Sequence, residues 1–178
     1  MAFRAWNTAK CVVAAWPLIA LPLGSGALAQ QNAGIAYLSD AKGKNVGKVT
    51  LVGTPNGLSG TIEAKGLPPG EHGMHIHTVG KCSGEAFADA GGHLNPDHKQ
   101  HGLSNPMGAH MGDLPVLKVG ADGSAKQHVL IKATFRDLLD VDGGAFVIHA
   151  GTDDQMTDPS GNSGARIACG VFETGAAN

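Results

Sequence analysis

The sequence predicts an all-β domain: an eight-stranded Greek-key β-sandwich or flattened barrel that carries two long loops. Three observations predict it. Glycine is abundant at 27 of 178 residues, about twice the ~7% of ordinary globular chains, as suits a chain that turns often. Long runs at the helical period are nearly absent. Short alternating or β-branched runs bounded by turn residues dominate instead.

The first residues stand apart from that pattern. Arg4 and Lys10 make a positive start, Cys11 to Leu23 is apolar, and Ala27-Leu28-Ala29 has the small-x-small form of a cleavage site. Together these are the marks of an export signal, here 1–29, with the domain over 30–178 in the periplasm. The apolar stretch is well short of the ~20 residues a spanning helix needs and contains Pro17 and Pro22. No membrane span is expected in the mature form. Cys11 lacks the small residues before it that lipid attachment requires. Loss of Arg4 and Lys10 leaves 11 basic residues against 15 acidic ones, moving the net charge from −2 to −4. No basic run remains to neutralise phosphates, which argues against nucleic acid as a partner.

Strands are expected at 34–39, 46–53, 57–65, 72–79, 114–119, 124–131, 144–150 and 165–172. Pro55-Asn56-Gly57 and Gly120-Ala121-Asp122-Gly123 read as turns, the second as a hairpin. The segments 80–113 and 151–164 have no strand pattern and are rich in Gly, Asp, Asn and Pro. Loops of such length in a compact domain are usually functional. Removal of the signal leaves two cysteines, Cys82 and Cys169, and an even count in an oxidising compartment predicts a disulfide. A metal-ligand role suits them less, because neither lies in a Cys-x-x-Cys pair.

The chemistry lies in the histidines. In Met74-His75-Ile76-His77 the two imidazoles share one strand face and the apolar residues the other. In Phe146-Val147-Ile148-His149 the histidine again opposes the large apolar residues, so all three are expected to point away from the core. His93 in GGHLNP, His101 in KQHG, and His110 and Asp113 in HMGD lie in the long loop that can fold over that face. Six histidines and one carboxylate are enough for two metal ions. A lone histidine is more often an ordinary surface or core residue, and His72, His98 and His128 are read so.

The segments GMHIHTVGKC, AGGHLNP, KQHG, HMGDLP, AFVIHAGTDD and GNSGARIACGVF resemble the copper,zinc superoxide dismutases, especially their exported bacterial branch. The resemblance runs from about Gly34 to Phe172. It implies an immunoglobulin-like sandwich, an architecture this family is known to share. It implies copper held by His75, His77, His93 and His149, and zinc by His93, His101, His110 and Asp113, with His93 bridging the two. Ligand chemistry agrees: four imidazoles suit a redox-active copper, and three imidazoles with a carboxylate suit a closed zinc site. The implied activity is dismutation of the superoxide anion to oxygen and hydrogen peroxide. Arg166 would attract and orient the anion, and His93 would supply a proton. Asp153 would link His75 to His101, and a Cys82–Cys169 bridge would tie the long loop to the strand carrying Arg166. The loop after His149 lacks the charge-rich steering segment of the eukaryotic branch, and Lys81 reads as a solvated surface lysine. A non-catalytic protein buffering copper or zinc is the rival reading, and monomer and homodimer both remain open.

Overall fold

The computed structural model describes residues 32–176 together with Met1, and the expected export segment falls outside the described residues. The described residues form nine strands: β1 (Asn32–Asp40), β2 (Asn45–Thr54), β3 (Gly57–Ala64), β4 (Gly70–His72), β5 (Met74–His77), β6 (Leu117–Val119), β7 (Ala125–Ile131), β8 (Ala145–His149) and β9 (Arg166–Ala176). Seven form one curled antiparallel sheet in the order β5-β8-β9-β1-β2-β3-β7, while β4 pairs with β6 in a second. The neighbours β9-β1 and β3-β7 are distant in sequence, as Greek-key connections require.

The count is nine, not eight, because the strand expected at 72–79 breaks at Gly73. Its N–H donates to the Gly151 carbonyl and its own carbonyl accepts from the His149 N–H, both at 2.8 Å. A Cβ at this position would come within 2.6 Å of the Ser163 Cβ. The chain changes sheet here, as strands do at sandwich corners. The strand expected at 114–119 pairs only from Leu117, after Pro115, which has no N–H to donate. At the other end, β9 runs on to Ala176 because β1 extends it a partner as far as Asn32. The expected turn at 120–123 forms, with the Gly123 N–H donating to the Gly120 carbonyl at 2.9 Å, but it joins strands of different sheets.

Two helical segments were not anticipated. A 3-10 turn spans Glu85–Ala90, and one turn of helix, α1, spans Phe135–Leu138. The helix starts on a capping box in which the Thr134 N–H and hydroxyl donate to Asp137 Oδ2 at 2.7 and 2.8 Å. Both are too short to leave a periodic signal.

The strand alternation sorts the interior. Met74, Ile76, Phe146 and Ile148 join Leu38, Leu51, Ile62 and Leu117 in the main core, and the Phe146 and Phe172 rings meet edge to face at 6.4 Å. The opposite face of β5 and β8 is covered too, since Ala145, Val147, Phe87, Ala90 and Cys169 form a second small cluster beneath the 3-10 turn. The three strand histidines therefore point away from the core, as expected, yet end up buried. His75, His77 and His149 are 0%, 1% and 3% exposed.

Candidate metal centre

The cover is the long loop itself, zipped along the free edge of β5. Thr78 N–H donates to Gly92 O, Leu94 N–H to Ile76 O, and Ile76 N–H to Gly112 O, at 2.8–3.0 Å. These bonds bring His93 opposite His77 and Asp113 opposite His75. They also satisfy an edge that would otherwise be open to another chain.

Among the described residues, two groups of donors lie close enough to hold a metal. In the first, His75, His77, His93 and His149 offer atoms within 4.8 Å of one another. Each strand histidine has one nitrogen occupied. His75 Nε2 donates to Asp153 Oδ2 at 2.7 Å, His77 Nδ1 to the Gly91 carbonyl at 2.9 Å, and His149 Nδ1 to the Gly164 carbonyl at 3.0 Å. The remaining nitrogens, His75 Nδ1, His77 Nε2 and His149 Nε2, together with His93 Nε2, are buried without a hydrogen-bond partner among the described residues. Donating from one nitrogen fixes the tautomer and leaves a lone pair on the other, which is how proteins prepare an imidazole for a metal.

The second group surrounds Asp113. Its Oδ1 lies 2.9 Å from Nδ1 of His93 and of His101 and 3.2 Å from Nδ1 of His110, while the His93 and His110 Nδ1 atoms are 3.2 Å apart. A tetrahedron with arms of ~2.0–2.1 Å has edges of about 3.3–3.4 Å, so a small outward shift of these four atoms would admit a zinc ion. Asp113 Oδ2 meanwhile accepts from the Gly102 and His110 N–H groups at 2.8 and 2.9 Å. His75 also falls within reach of His93, His101 and Asp113, but its Nε2 is taken by Asp153 and its Nδ1 belongs to the first group. His110 is the better fourth donor. With that set, His93 faces both groups, Nδ1 toward Asp113 and Nε2 toward the strand histidines.

Asp153 joins the two groups from behind, with Oδ1 3.0 Å from His101 Nε2 and Oδ2 on His75. The electrostatics follow from these contacts. Burial pushes His75 down to about 3, His77 to about 2 and His149 to about 4, and lowers His93 as well, so all four are neutral and ready to ligate. Burial would lower His101 too, but the hydrogen bonds and charges of Asp113 and Asp153 outweigh it and lift the group to about 9. Both carboxylates, despite burial, are held below their ordinary range, chiefly by His101 and the other imidazoles. In metal-free protein the raised His101 stabilises the fold fully below its unfolded value of ~6.5, and that contribution is lost as pH rises through about 9. Zinc binding at pH 7 is accordingly expected to expel about one proton, from His101 Nδ1. Calorimetric titration in buffers of different ionisation enthalpy measures it.

Arg166 sits beside the first group. Its Nη1 and Nη2 donate to the carbonyls of Phe87 and Gly91 at 2.6 and 2.7 Å. The Gly91 carbonyl also accepts from His77, so one backbone oxygen positions both the guanidinium and a ligand imidazole. The Cys82–Cys169 disulfide is formed, with Cα atoms 5.7 Å apart, and fastens this loop to β9.

Several contributors carried no sequence signal. Asp158 accepts the His101 N–H at 2.5 Å and lies 4.0 Å from His110 Nε2, pinning the second loop to the first. Gly161, with φ +62, lies against Asp153, where a Cβ would collide with Oδ1 and approach His101 Nε2 to 2.9 Å. Gly161→Ala is therefore expected to weaken zinc retention severalfold without changing a ligand, by dislodging Asp153; competition with a chelator measures it. His72 is a buried residue, its ring nitrogens 2.7 and 2.8 Å from the carbonyls of His149 and Pro68. His98, His128 and Lys81 are exposed.

A β-sandwich with two adjoining, histidine-rich donor sets buried under its loops is built to hold two metal ions. The model of the copper/zinc superoxide dismutase family matches residues 45–172, and the chain belongs to that family. It is 41% identical to Cu-Zn superoxide dismutase 1 of Aquifex aeolicus over 89% of this chain and 98% of that one. It is 47% identical to the superoxide dismutase-like protein YojM of Bacillus subtilis, over 76% of this chain and 73% of that one. The Cu/Zn superoxide dismutase from Brucella abortus superposes with a TM-score of 0.67 at 33% identity, covering 79% of this chain and 99% of that one. No helix among the described residues is long and apolar enough to cross a membrane.

Proposed function

We propose that this chain dismutes superoxide in the periplasm, after removal of residues 1–29, converting two superoxide anions and two protons to oxygen and hydrogen peroxide. His75, His77, His93 and His149 hold copper, while His93, His101, His110 and Asp113 hold zinc. When bound, copper supplies reversible one-electron chemistry, and zinc supplies charge and rigidity. The observation that carries this reading is the set of four buried imidazole nitrogens that meet without partners among the described residues beside a clamped guanidinium.

Each residue then has a physical task. Arg166 attracts the anion and presents a planar donor edge to it. His93, with Nδ1 committed to the zinc group, keeps Nε2 facing the copper group, where it can hold a proton and pass it to reduced dioxygen. Asp153 maintains the tautomers of His75 and His101. The Cys82–Cys169 bridge holds the loop whose carbonyls fix Arg166.

The test is pulse radiolysis of protein loaded with one copper and one zinc. Rapid catalytic decay of superoxide is expected, abolished when His75 and His77 are both replaced by alanine while zinc stays bound. A four-nitrogen copper signal without dismutation would overturn the reading in favour of a copper-buffering protein.

A further inference from the structure

We infer that Asp89 sets how strongly Arg166 holds an anion, acting as a positioning residue and counter-charge behind the guanidinium; the inference rests on the dismutase reading. The clamp on Arg166 consists of carbonyls, from Phe87 and Gly91. Asp89 lies between these two residues in the chain, within the turn that presents both carbonyls.

One oxygen of Asp89 builds that turn. Its Oδ2 accepts from the Ser83 N–H at 3.1 Å, the Ser83 hydroxyl at 2.9 Å and the Gly84 N–H at 2.8 Å. The approach depends on a missing side chain, since a Cβ on Gly84 would stand 2.9 Å from Asp89 Cγ. The turn needs such holding. Ala86 and Phe87 adopt left-handed φ of 49° and 57°, an unfavourable conformation for residues with a Cβ. Ser83 follows Cys82, so the same carboxylate ties the disulfide segment to the arginine clamp.

The other oxygen is uncompensated. Asp89 Oδ1 is buried with no hydrogen-bond partner among the described residues. The donors on Oδ2 are all neutral, so the carboxylate keeps its negative charge, which acts on the Arg166 guanidinium. Burial lowers the Arg166 pKa from its ordinary value, and the Asp89 charge works against that shift. A carboxylate behind the guanidinium lowers the positive potential that an anion meets there and so weakens its hold on the anion.

Azide titration of copper- and zinc-loaded protein, followed in the copper absorption and paramagnetic resonance spectra, tests the inference. Asp89→Asn keeps an oxygen acceptor for Ser83 and Gly84 and removes the charge. Its azide Kd is expected to fall about three- to tenfold, the scale of one nearby charge at the dielectric of a protein surface. The gain should shrink at high salt and disappear in an Arg166→Ala background. Asp89→Glu keeps the charge and is expected to leave the affinity within about twofold. The inference is overturned if Asp89→Asn binds azide like the parent, if the gain survives without Arg166, or if Asp89→Glu tightens binding equally, which would assign the effect to turn geometry. Because azide is read from the copper spectrum and not from turnover, failure of the dismutase reading would show separately, as absent superoxide decay.

Discussion

His93→Ala is expected to abolish dismutation, lowering kcat/KM by at least about a thousandfold, the range for loss of a positioned proton donor together with a ligand. The His93 ring offers one nitrogen to each donor group: Nδ1 stands 2.9 Å from Asp113 and 3.2 Å from the His110 nitrogen, and Nε2 is among the atoms of the other group that lack a partner among the described residues. Its removal takes one donor from each set and the proton-holding nitrogen between them. Affinity for both metals should therefore fall together, whereas His77→Ala should weaken copper alone. Metal content after dialysis against a chelator, measured beside the superoxide decay rate, distinguishes the two variants. A His93→Ala protein that retains one copper, one zinc and the parental rate would refute the shared-ligand assignment.

Arg166→Glu is expected to lower kcat/KM by about a hundredfold and to reverse its salt dependence. Two effects act in the same direction. The anion loses an attractive charge and meets a repulsive one, so that screening, which slows the parent, should speed the variant. The carbonyls of Phe87 and Gly91 lose the guanidinium donors they now have at 2.6 and 2.7 Å, and Gly91 is left with His77 alone, which loosens the loop that also positions that imidazole. Arg166→Lys should fall between, since an ammonium keeps the charge but cannot span both carbonyls as a planar fork does. Rates measured across ionic strength separate these contributions, and an unchanged salt slope in Arg166→Glu would remove Arg166 from substrate attraction.

Local pattern carries much of this architecture. Alternation in 74–77 and 146–149 assigned the core and ligand faces without long-range information, because successive strand side chains point to opposite faces. It could not show that the ligand face is itself covered, which depends on the 80–113 loop pairing back along β5. Nor could it show the break at Gly73, whose N–H and carbonyl are taken by Gly151 and His149 from far downstream. The helical turns at 85–90 and 135–138 are shorter than any periodicity can register. Asp158 and Gly161 were invisible for a different reason. Their roles are contacts with His101 and Asp153, and neither residue type announces such a contact in a loop rich in Asp and Gly.

What the sequence determined by itself is the all-β class, the strand faces, the cysteine pair and the inventory of seven ligand-capable side chains, since these follow from period, turn chemistry and side-chain identity. The tertiary structure alone decided which nitrogen of each histidine is free and which charges oppose one another. Asp153 reaches His75 across 78 positions and His101 across 52, and Arg166 reaches Phe87 across 79. An imidazole becomes a ligand when a partner takes its other nitrogen, and only the folded chain brings those partners together.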